Sequence, residues 1–363
     1  MQQPKKIRVI VADDSALMRK ILSDIINGDS SLEVVATAGN GREALEKIAI
    51  FKPDVVTLDI EMPVMDGLET LEKIIKEHPL PVIMLSAFTQ AGAVATIRAL
   101  EQGAVDFLTK PGGSISPETG RLAHEIINKI KSAASIPAGS IKKQQAKITS
   151  ERTEIKTLET AQPGAQQGKP VSSVIAIGTS TGGPKALHEV MSRLSNNLNS
   201  AIFIVQHMPP GFTKSLAQRL DAVSSFTVKE AEQGDEVLNR TAYVAPGDYH
   251  MEVVSQHNKL VIHLHQGPPV NGHRPSVDPL MKSVAKIPLP KVGVIMTGMG
   301  NDGAEGLKIM KEAGAVIIGE SAETCVVYGM PRAAYQLGIV DYEAPVYRIA
   351  ETIDLALKKN REA

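Results

Sequence analysis

The sequence VIAIGTSTGGP, residues 174–184, decides the architecture of the second half of the chain. Its first four residues are wholly apolar, as in a buried strand of a parallel sheet, and its glycines permit a tight turn into a helix. Three further apolar segments follow at 202–205, 292–296 and 316–318, with helical patterns between them. Strands that alternate with helices predict an α/β domain with a mostly parallel, doubly wound sheet.

The first half shows the same alternation. Segments that predict strands lie at 7–12, 33–38, 55–58, 82–85 and 106–108. Five strands with five helices imply a second parallel sheet, covered by helices on both faces. The second half differs in one respect, because residues 252–254 and 260–264 predict an antiparallel hairpin.

A polar segment separates the two halves. Residues 132–170 contain several lysines and glutamines, three prolines and few apolar residues, which is typical of an interdomain linker. The sequence therefore predicts a first domain at 5–131, a flexible linker at 132–170 and a second domain at 171–363.

Composition and charge exclude several classes of protein. The 363 residues include 39 basic and 40 acidic side chains, and this balance argues against a surface for nucleic acid or another polyanion. Tryptophan is absent, and six phenylalanines and six tyrosines are too few for an aromatic stacking platform. The single cysteine, Cys325, allows no intrachain disulfide and no Cys-rich zinc site.

The apolar segments are too short for a membrane protein. None approaches the ~18 residues that span a bilayer, so we expect no direct membrane insertion. Residues 5–11 start like a signal peptide, but Asp13 and Asp14 end the apolar run too early. Together with the lone cysteine, these features favour a cytoplasmic protein.

Charged and hydroxyl side chains follow the strands of the first half. Asp13 and Asp14 come after the first strand, and Asp59 comes after the third. Because the carboxyl ends of parallel strands share one edge, these carboxylates should meet there, where a hard cation such as Mg²⁺ would offset their repulsion. Ser86 and Lys110 follow the fourth and fifth strands. The set predicts a phosphoryl-transfer site, although each acidic residue alone could simply cap a helix.

Four segments of the first half resemble the receiver domain of response regulators. They are VADDS at 11–15, DIEMPVMDG at 59–67, SA at 86–87 and FLTKP at 107–111. The resemblance implies that Asp59 accepts a phosphoryl group from a histidine kinase. It also implies that Mg²⁺ is held by Asp13, Asp14, Asp59 and the backbone carbonyl of Glu61.

The receiver resemblance further implies three switch residues, Ser86, Phe107 and Lys110. Ser86 keeps the hydroxyl that the family has as Thr or Ser at this position. Phe107 stands where the family has Tyr or another aromatic residue. We therefore expect the switch to work by ring packing and not by a phenolic hydrogen bond.

The pattern G-x-S-x-G at 178–182 places Ser180 in the strand–turn–helix setting of a nucleophile elbow. Such a turn could equally cradle a phosphate, although the Lys of a P-loop is missing. His207 and Asp302 follow two other strands, so a nucleophile, a base and an orienting carboxylate should share one sheet edge. Taken singly, Ser180 and Asp302 could be helix caps, and His207 could be a turn residue. The order Ser–His–Asp differs from that of the common α/β-hydrolases.

Several segments within 171–355 resemble the catalytic domain of the chemotaxis protein-glutamate methylesterases, the CheB family. They lie at 178–184, 206–212, 245–251, 273–278, 296–303 and 329–331. The family's triad carries over to Ser180, His207 and Asp302. Backbone N–H groups of Thr181, which follows the nucleophile, and of Met299, by resemblance, are the expected oxyanion donors.

For the whole chain, the resemblance implies a phosphorylation-activated serine esterase. Its partners would be methyl-accepting chemoreceptors, whose glutamate methyl esters are the substrate, and a chemotaxis histidine kinase as phosphodonor. Some family members also deamidate receptor glutamines, which the sequence leaves open here. The implied fold is a flavodoxin-like receiver domain followed by a Rossmann-like serine hydrolase domain with an antiparallel hairpin. We expect no cofactor in the catalytic domain.

Two other functions compete with this interpretation. Many receivers carry a DNA-binding effector, which would be a compact basic helical domain, whereas residues 171–363 predict an α/β domain. Alternatively, the second domain could keep the fold without the catalysis and bind receptors in a phosphorylation-gated manner.

Overall fold

The computed structural model describes residues 5–110, 119–136 and 170–362. Contacts within the chain cluster into two compact units, Met1–Ile155 and Lys156–Ala363. Most of the predicted linker, residues 137–169, lies outside the described residues.

The first unit is a five-stranded parallel sheet with helices between its strands. The strands are β1 (Ile7–Ala12), β2 (Leu32–Ala38), β3 (Val55–Asp59), β4 (Val82–Ser86) and β5 (Asp106–Thr109). The helices are α1 (Ala16–Asn27), α2 (Gly41–Phe51), α3 (Gly67–Glu77), α4 (Gln90–Gln102) and α5 (Thr119–Ala134). The strand order β2-β1-β3-β4-β5 is that of a flavodoxin-like sheet, and the predicted fold class is confirmed.

Local sequence explains where these elements start and why the sheet is covered. Strands β3 and β4 are buried along their whole length, as central strands between two helical layers must be. Four helices begin at a side chain that accepts a hydrogen bond from an N–H of the first turn; these side chains belong to Ser15, Asn40, Asp66 and Thr89. The caps hold the helix starts close to the strand ends.

The second unit contains a seven-stranded parallel sheet and a two-stranded antiparallel sheet. The strands are β6 (Ser173–Thr179), β7 (Ser200–Gln206), β8 (Thr227–Glu230), β9 (Thr241–Val244), β10 (His250–Gln256), β11 (Lys259–His265), β12 (Lys291–Ile295), β13 (Val316–Glu320) and β14 (Tyr342–Ala344). The helices are α6 (Gly183–Met191), α7 (Phe212–Asp221), α8 (Val277–Ala285), α9 (Ala304–Glu312), α10 (Met330–Gln336) and α11 (Ile349–Glu362), with a 3₁₀ turn at Val346–Arg348. Strands β10 and β11 form the predicted antiparallel pair.

Strand order locates the functional edge of the large sheet. The order is β14-β13-β12-β6-β7-β9-β8, so the first strand of the unit, β6, lies between β7 and β12. The chain leaves β6 towards one side of the sheet and later returns to β12 on the other side. Ligands of open α/β sheets bind at such a switch point, outside the carboxyl ends of the strands.

The register of the strands brings three loops to that point. Gly178 of β6 pairs with Ile295 of β12 and with Val205 of β7. The residues that follow these strands therefore emerge at the same height, and they include all three predicted triad members.

Among the described residues, no helix is long and apolar enough to cross a membrane.

Candidate phosphoacceptor and active sites

The three predicted carboxylates of the first unit lie together. Asp13, Asp14 and Asp59 each offer an oxygen atom, and these atoms lie within 4.8 Å of one another. The ammonium group of Lys110 lies 2.6 Å from Asp59 Oδ2 and 3.0 Å from Asp13 Oδ2. A fixed cation of the chain thus offsets part of the repulsion between the buried acids.

Burial sets the electrostatics of this cluster. It raises the pKa of Asp59 to about 6, with help from the charge of Asp13, while the hydrogen bond from Lys110 opposes the rise. Burial lowers the pKa of Lys110, but its contacts with Asp59 and Asp13 outweigh this and raise it overall. Three carboxylates with only oxygen donors form the kind of site that Mg²⁺ prefers. Glu61 donates its N–H to Asp59 Oδ1 at 3.4 Å, and its carbonyl remains a predicted ligand.

The predicted switch residues Ser86 and Phe107 lie on β4 and β5 beside this cluster. The Ser86 hydroxyl is buried and lies 2.8 Å from the Thr96 hydroxyl of α4. The Phe107 ring is also buried, and the Lys129 ammonium of α5 lies 5.1 Å from its centroid. Ser86 and Phe107 therefore contact different helices.

In the second unit, His207 and Asp302 form a buried pair. His207 follows β7, Asp302 lies in the loop after β12, and His207 Nε2 is 2.7 Å from Asp302 Oδ2. Ser180 follows β6, between these two strands in the sheet. The structure thus brings the three predicted triad residues to one sheet edge.

The nitrogen of His207 that contacts Asp302 is unexpected. In the familiar serine-protease triad, the carboxylate binds Nδ1 and the serine faces Nε2. Here Nε2 binds the carboxylate, and Nδ1 is buried without a hydrogen-bond partner among the described residues. Of the two ring nitrogens, Nδ1 is therefore the one that the predicted proton transfer from Ser180 would use.

The carboxylate of Asp302 is surrounded by donors although it is only 2% exposed. Oδ2 accepts from His207 and from the N–H of Val277, and Oδ1 accepts from the Ser276 hydroxyl and the Asn271 amide at 2.7 and 2.8 Å. Burial alone would raise the pKa of Asp302. The hydrogen bond and charge of His207, with the donors from Asn271 and Ser276, hold this pKa well below its usual range.

This geometry argues against two alternative roles that the sequence left open. Gly182 and Gly303 occupy the cap positions of α6 and α9, and neither helix start has a side-chain cap, so Ser180 and Asp302 are not helix caps. Nor are the N–H groups of Ser180 and Gly183 available to cradle a phosphate, because they bond to the carbonyls of Thr297 and Ser180. The nucleophile interpretation of Ser180 is therefore favoured.

The turn that contains Ser180 and Thr181 is hydrogen-bonded to the turn that contains Thr297. The Thr297 carbonyl accepts from the Ser180 N–H at 3.0 Å, and the Thr297 hydroxyl donates to the Thr181 carbonyl at 2.9 Å. Gly298 has no room for a side chain, since a Cβ there would lie 2.8 Å from the Ser180 Cβ. The turn that carries Thr181 and the turn that carries Met299 are thereby held against each other.

Comparisons with known proteins assign the chain to a family. A family model described as CheB methylesterase matches residues 175–353, and a response regulator receiver domain model matches residues 9–116. A relative from Pyrococcus abyssi, named protein-glutamate methylesterase/protein-glutamine glutaminase, is 48% identical over 98% of this chain and 95% of its own length. A relative from Bacillus subtilis with the same name is 45% identical over 98% of this chain and 99% of its own length.

The chain belongs to the CheB methylesterase family. Two solved structures from Thermotoga maritima are also similar. The CheB catalytic domain is 45% identical and covers 50% of this chain and 97% of its own, with a TM-score of 0.49. The CheB response regulator domain is 50% identical and covers 37% of this chain and 99% of its own, with a TM-score of 0.34. Membership of the CheB family favours the esterase over the DNA-binding regulator that the sequence left as an alternative.

Sequence reasoning assigned no role to several residues that contact the predicted triad. The Gln206 amide donates to the carbonyls of Ser180 and His207, and so joins the turn at Ser180 to the loop at His207. The His273 ring stacks on the His207 ring, with centroids 3.7 Å apart. Asn271 and Gly272 form the two-residue turn that delivers His273, and Asn-Gly is a signature of such turns that could have been noticed.

We predict that the hydrogen-bonded proton of the His207–Asp302 pair is carried by Nε2. In protein with ¹⁵N-labelled histidine, the strongly downfield imidazole proton should couple to Nε2, because Nε2 contacts the carboxylate. Asp302→Asn should move this signal upfield. Coupling of the downfield proton to Nδ1 would contradict the assignment.

Mg²⁺ binding to the first unit should weaken as pH falls through about 6, the pKa to which burial raises Asp59. Below that pH a proton competes with the metal for Asp59, and one competing proton weakens affinity at most about ten-fold per pH unit. The measurement is a Mg²⁺ titration between pH 5 and 8. The matched control is Asp59→Asn, whose affinity should be lower and nearly independent of pH in this range; equal pH dependence in both proteins would refute the prediction.

Proposed function

We propose that this chain is a serine esterase that hydrolyses glutamate methyl esters on chemoreceptors, under the control of its own receiver domain. The observation that carries the proposal is the buried 2.7 Å contact between His207 and Asp302 at the sheet edge that also bears Ser180. Curated relatives that align over nearly the full length are named for this reaction, which supports its transfer to this chain.

The first half-reaction forms an acyl-enzyme. Ser180 Oγ attacks the ester carbonyl while His207 Nδ1 takes its proton, and Asp302 stabilises the resulting imidazolium. The carbonyl oxygen becomes an oxyanion, for which the N–H groups of Thr181 and Met299 are the proposed donors. One such donor lowers the barrier by about 2.7–4 kcal/mol. The imidazolium then protonates the leaving methoxide, and methanol departs.

The second half-reaction restores the enzyme. Water attacks the acyl carbonyl as His207 takes one of its protons, and collapse of the intermediate returns that proton to Ser180 and releases the glutamic acid side chain, which loses its remaining proton to solvent as it becomes a carboxylate. A glutamine side chain can follow the same path with ammonia as the leaving group. The relatives' double name supports deamidation as a second activity of the same site.

The first unit supplies the control. Asp59 is the proposed phosphoacceptor, with its carboxylate as the nucleophile towards a phosphohistidine of a chemotaxis kinase. Mg²⁺ held by Asp13, Asp14, Asp59 and the Glu61 carbonyl would neutralise charge on the phosphoryl group. Lys110, which now pairs with Asp59, is positioned to pair with a phosphoryl oxygen instead.

Ser180→Ala should abolish methanol release from methylated receptor membranes, because the nucleophile is lost. The matched control is Ser192→Ala, which removes an exposed hydroxyl at the end of α6 in the same unit and should keep wild-type turnover. Circular dichroism checks that both proteins fold. Near wild-type turnover by folded Ser180→Ala protein would refute the triad, whereas a wild-type protein that binds receptor but releases no methanol would favour a binding module.

A phosphodonor with Mg²⁺ should raise methanol release by the full-length protein, because phosphorylation of Asp59 is the proposed signal that activates the catalytic domain. Asp59→Asn should remove this rise. Asp66→Asn makes the same chemical change at the exposed cap of α3, where Asn caps a helix as well as Asp, and should respond like wild type. An equal response of the Asp59→Asn protein would contradict the proposed control.

A further inference from the structure

Asn271 connects two buried carboxylates. Its Nδ2 atom lies 2.8 Å from Asp302 Oδ1 and 2.8 Å from Asp278 Oδ2. A side-chain amide nitrogen carries two hydrogen atoms, so each carboxylate receives one of them. Asp278 is not a member of the triad, and its other oxygen accepts from the N–H of Gly306 at 2.7 Å, in the first turn of α9.

Two carboxylates that are this close and are shielded from water repel each other strongly. Asp278 is 5% exposed, and burial together with the charge of Asp302 raises its pKa. Without the shared amide, the least costly way to relieve the repulsion is for the cluster to take up a proton. A proton taken up by the cluster would reduce the negative charge beside His207. That charge stabilises the imidazolium that forms when His207 accepts the Ser180 proton.

We infer that Asn271 is a positioning residue of the esterase, which keeps Asp302 ionised beside a second buried carboxylate by donating one hydrogen bond to each. The inference rests on the proposed esterase function and adds to it a residue outside the triad. Asn271 acts through Asp302 and contacts neither Ser180 nor His207 through any hydrogen bond between the described residues.

The turn that holds Asn271 is closed by backbone hydrogen bonds and has a conformation that suits this residue. Val270 and His273 exchange two backbone hydrogen bonds at 2.9 and 3.1 Å, and Asn271 and Gly272 between them have φ values of 52° and 80°. Asn tolerates this left-handed conformation better than most residues. The titratable groups that face the two carboxylates or their partners are His207, His250, His273 and Lys282.

The test compares three variants of the full-length protein. Asn271→Gly deletes the amide but permits the positive φ, and Asn271→Asp keeps the shape and adds a third carboxylate. The matched control is Asn258→Gly, at φ 61° in the exposed turn between β10 and β11. Methanol release is measured against pH, and the downfield imidazole proton of His207 is followed by NMR as a readout that does not require activity.

For Asn271→Gly we expect kcat to fall by on the order of ten-fold or more with KM unchanged, as for loss of a hydrogen bond to a charged group. The acidic limb of the pH–rate profile and the titration of the downfield proton should move up by roughly one pH unit. Asn271→Asp should move both further, and Asn258→Gly should move neither.

An acidic limb and proton titration that stay at the wild-type position in folded Asn271→Gly protein would overturn the inference and leave a structural role only. If Asn271→Asp does not fold, the comparison of Asn271→Gly with Asn258→Gly decides alone. Wild-type protein that releases no methanol would refute the proposed function instead, and the NMR titration would still test Asn271.

Discussion

A carboxylate stays ionised inside a protein only when hydrogen-bond donors replace the water that it has lost. Asp302 meets this condition with donors from three separate parts of the chain: His207 after β7, Ser276 and Val277 at the start of α8, and Asn271 in the turn before it. These three parts belong to different elements, so the buried carboxylate has its full set of donors only after β7, β12, α8 and that turn have assembled. The chemistry of His207 therefore depends on the complete fold of the second unit.

The buried carboxylate of the first unit has fewer hydrogen-bond donors around it. Asp59 is as deeply buried as Asp302, but its contacts are the Lys110 ammonium and a long bond from the Glu61 N–H. Burial consequently raises the pKa of Asp59, whereas that of Asp302 is lowered. An acid with few donors keeps its oxygen atoms available for a metal ion or a phosphoryl group, and an acid with many donors is fixed in place as an orienting partner. The same residue type thus suits two tasks because of the number of donors around it.

Much of the fold was predictable because central strands of parallel sheets are short and wholly apolar. The segments at 55–58, 82–85 and 174–177 predicted β3, β4 and β6 with at most a few residues of difference. Strands β8, β9 and β14 were not predicted. Strands β8 and β14 lie at the two edges of the sheet and carry polar residues, so they lack the continuous apolar run that marked the central strands, and β9 has only four residues.

The sequence by itself determined which residue types stand at the carboxyl ends of the strands, because strand, turn and helix patterns are local, and the ends of parallel strands must share an edge. That argument sufficed to group Asp13, Asp14 and Asp59, and to group Ser180, His207 and Asp302. Only the tertiary structure decided that Nε2 of His207 contacts Asp302 and that Asn271 joins Asp302 to Asp278. These contacts depend on side-chain rotamers and on loops that are distant in sequence, which no local pattern encodes.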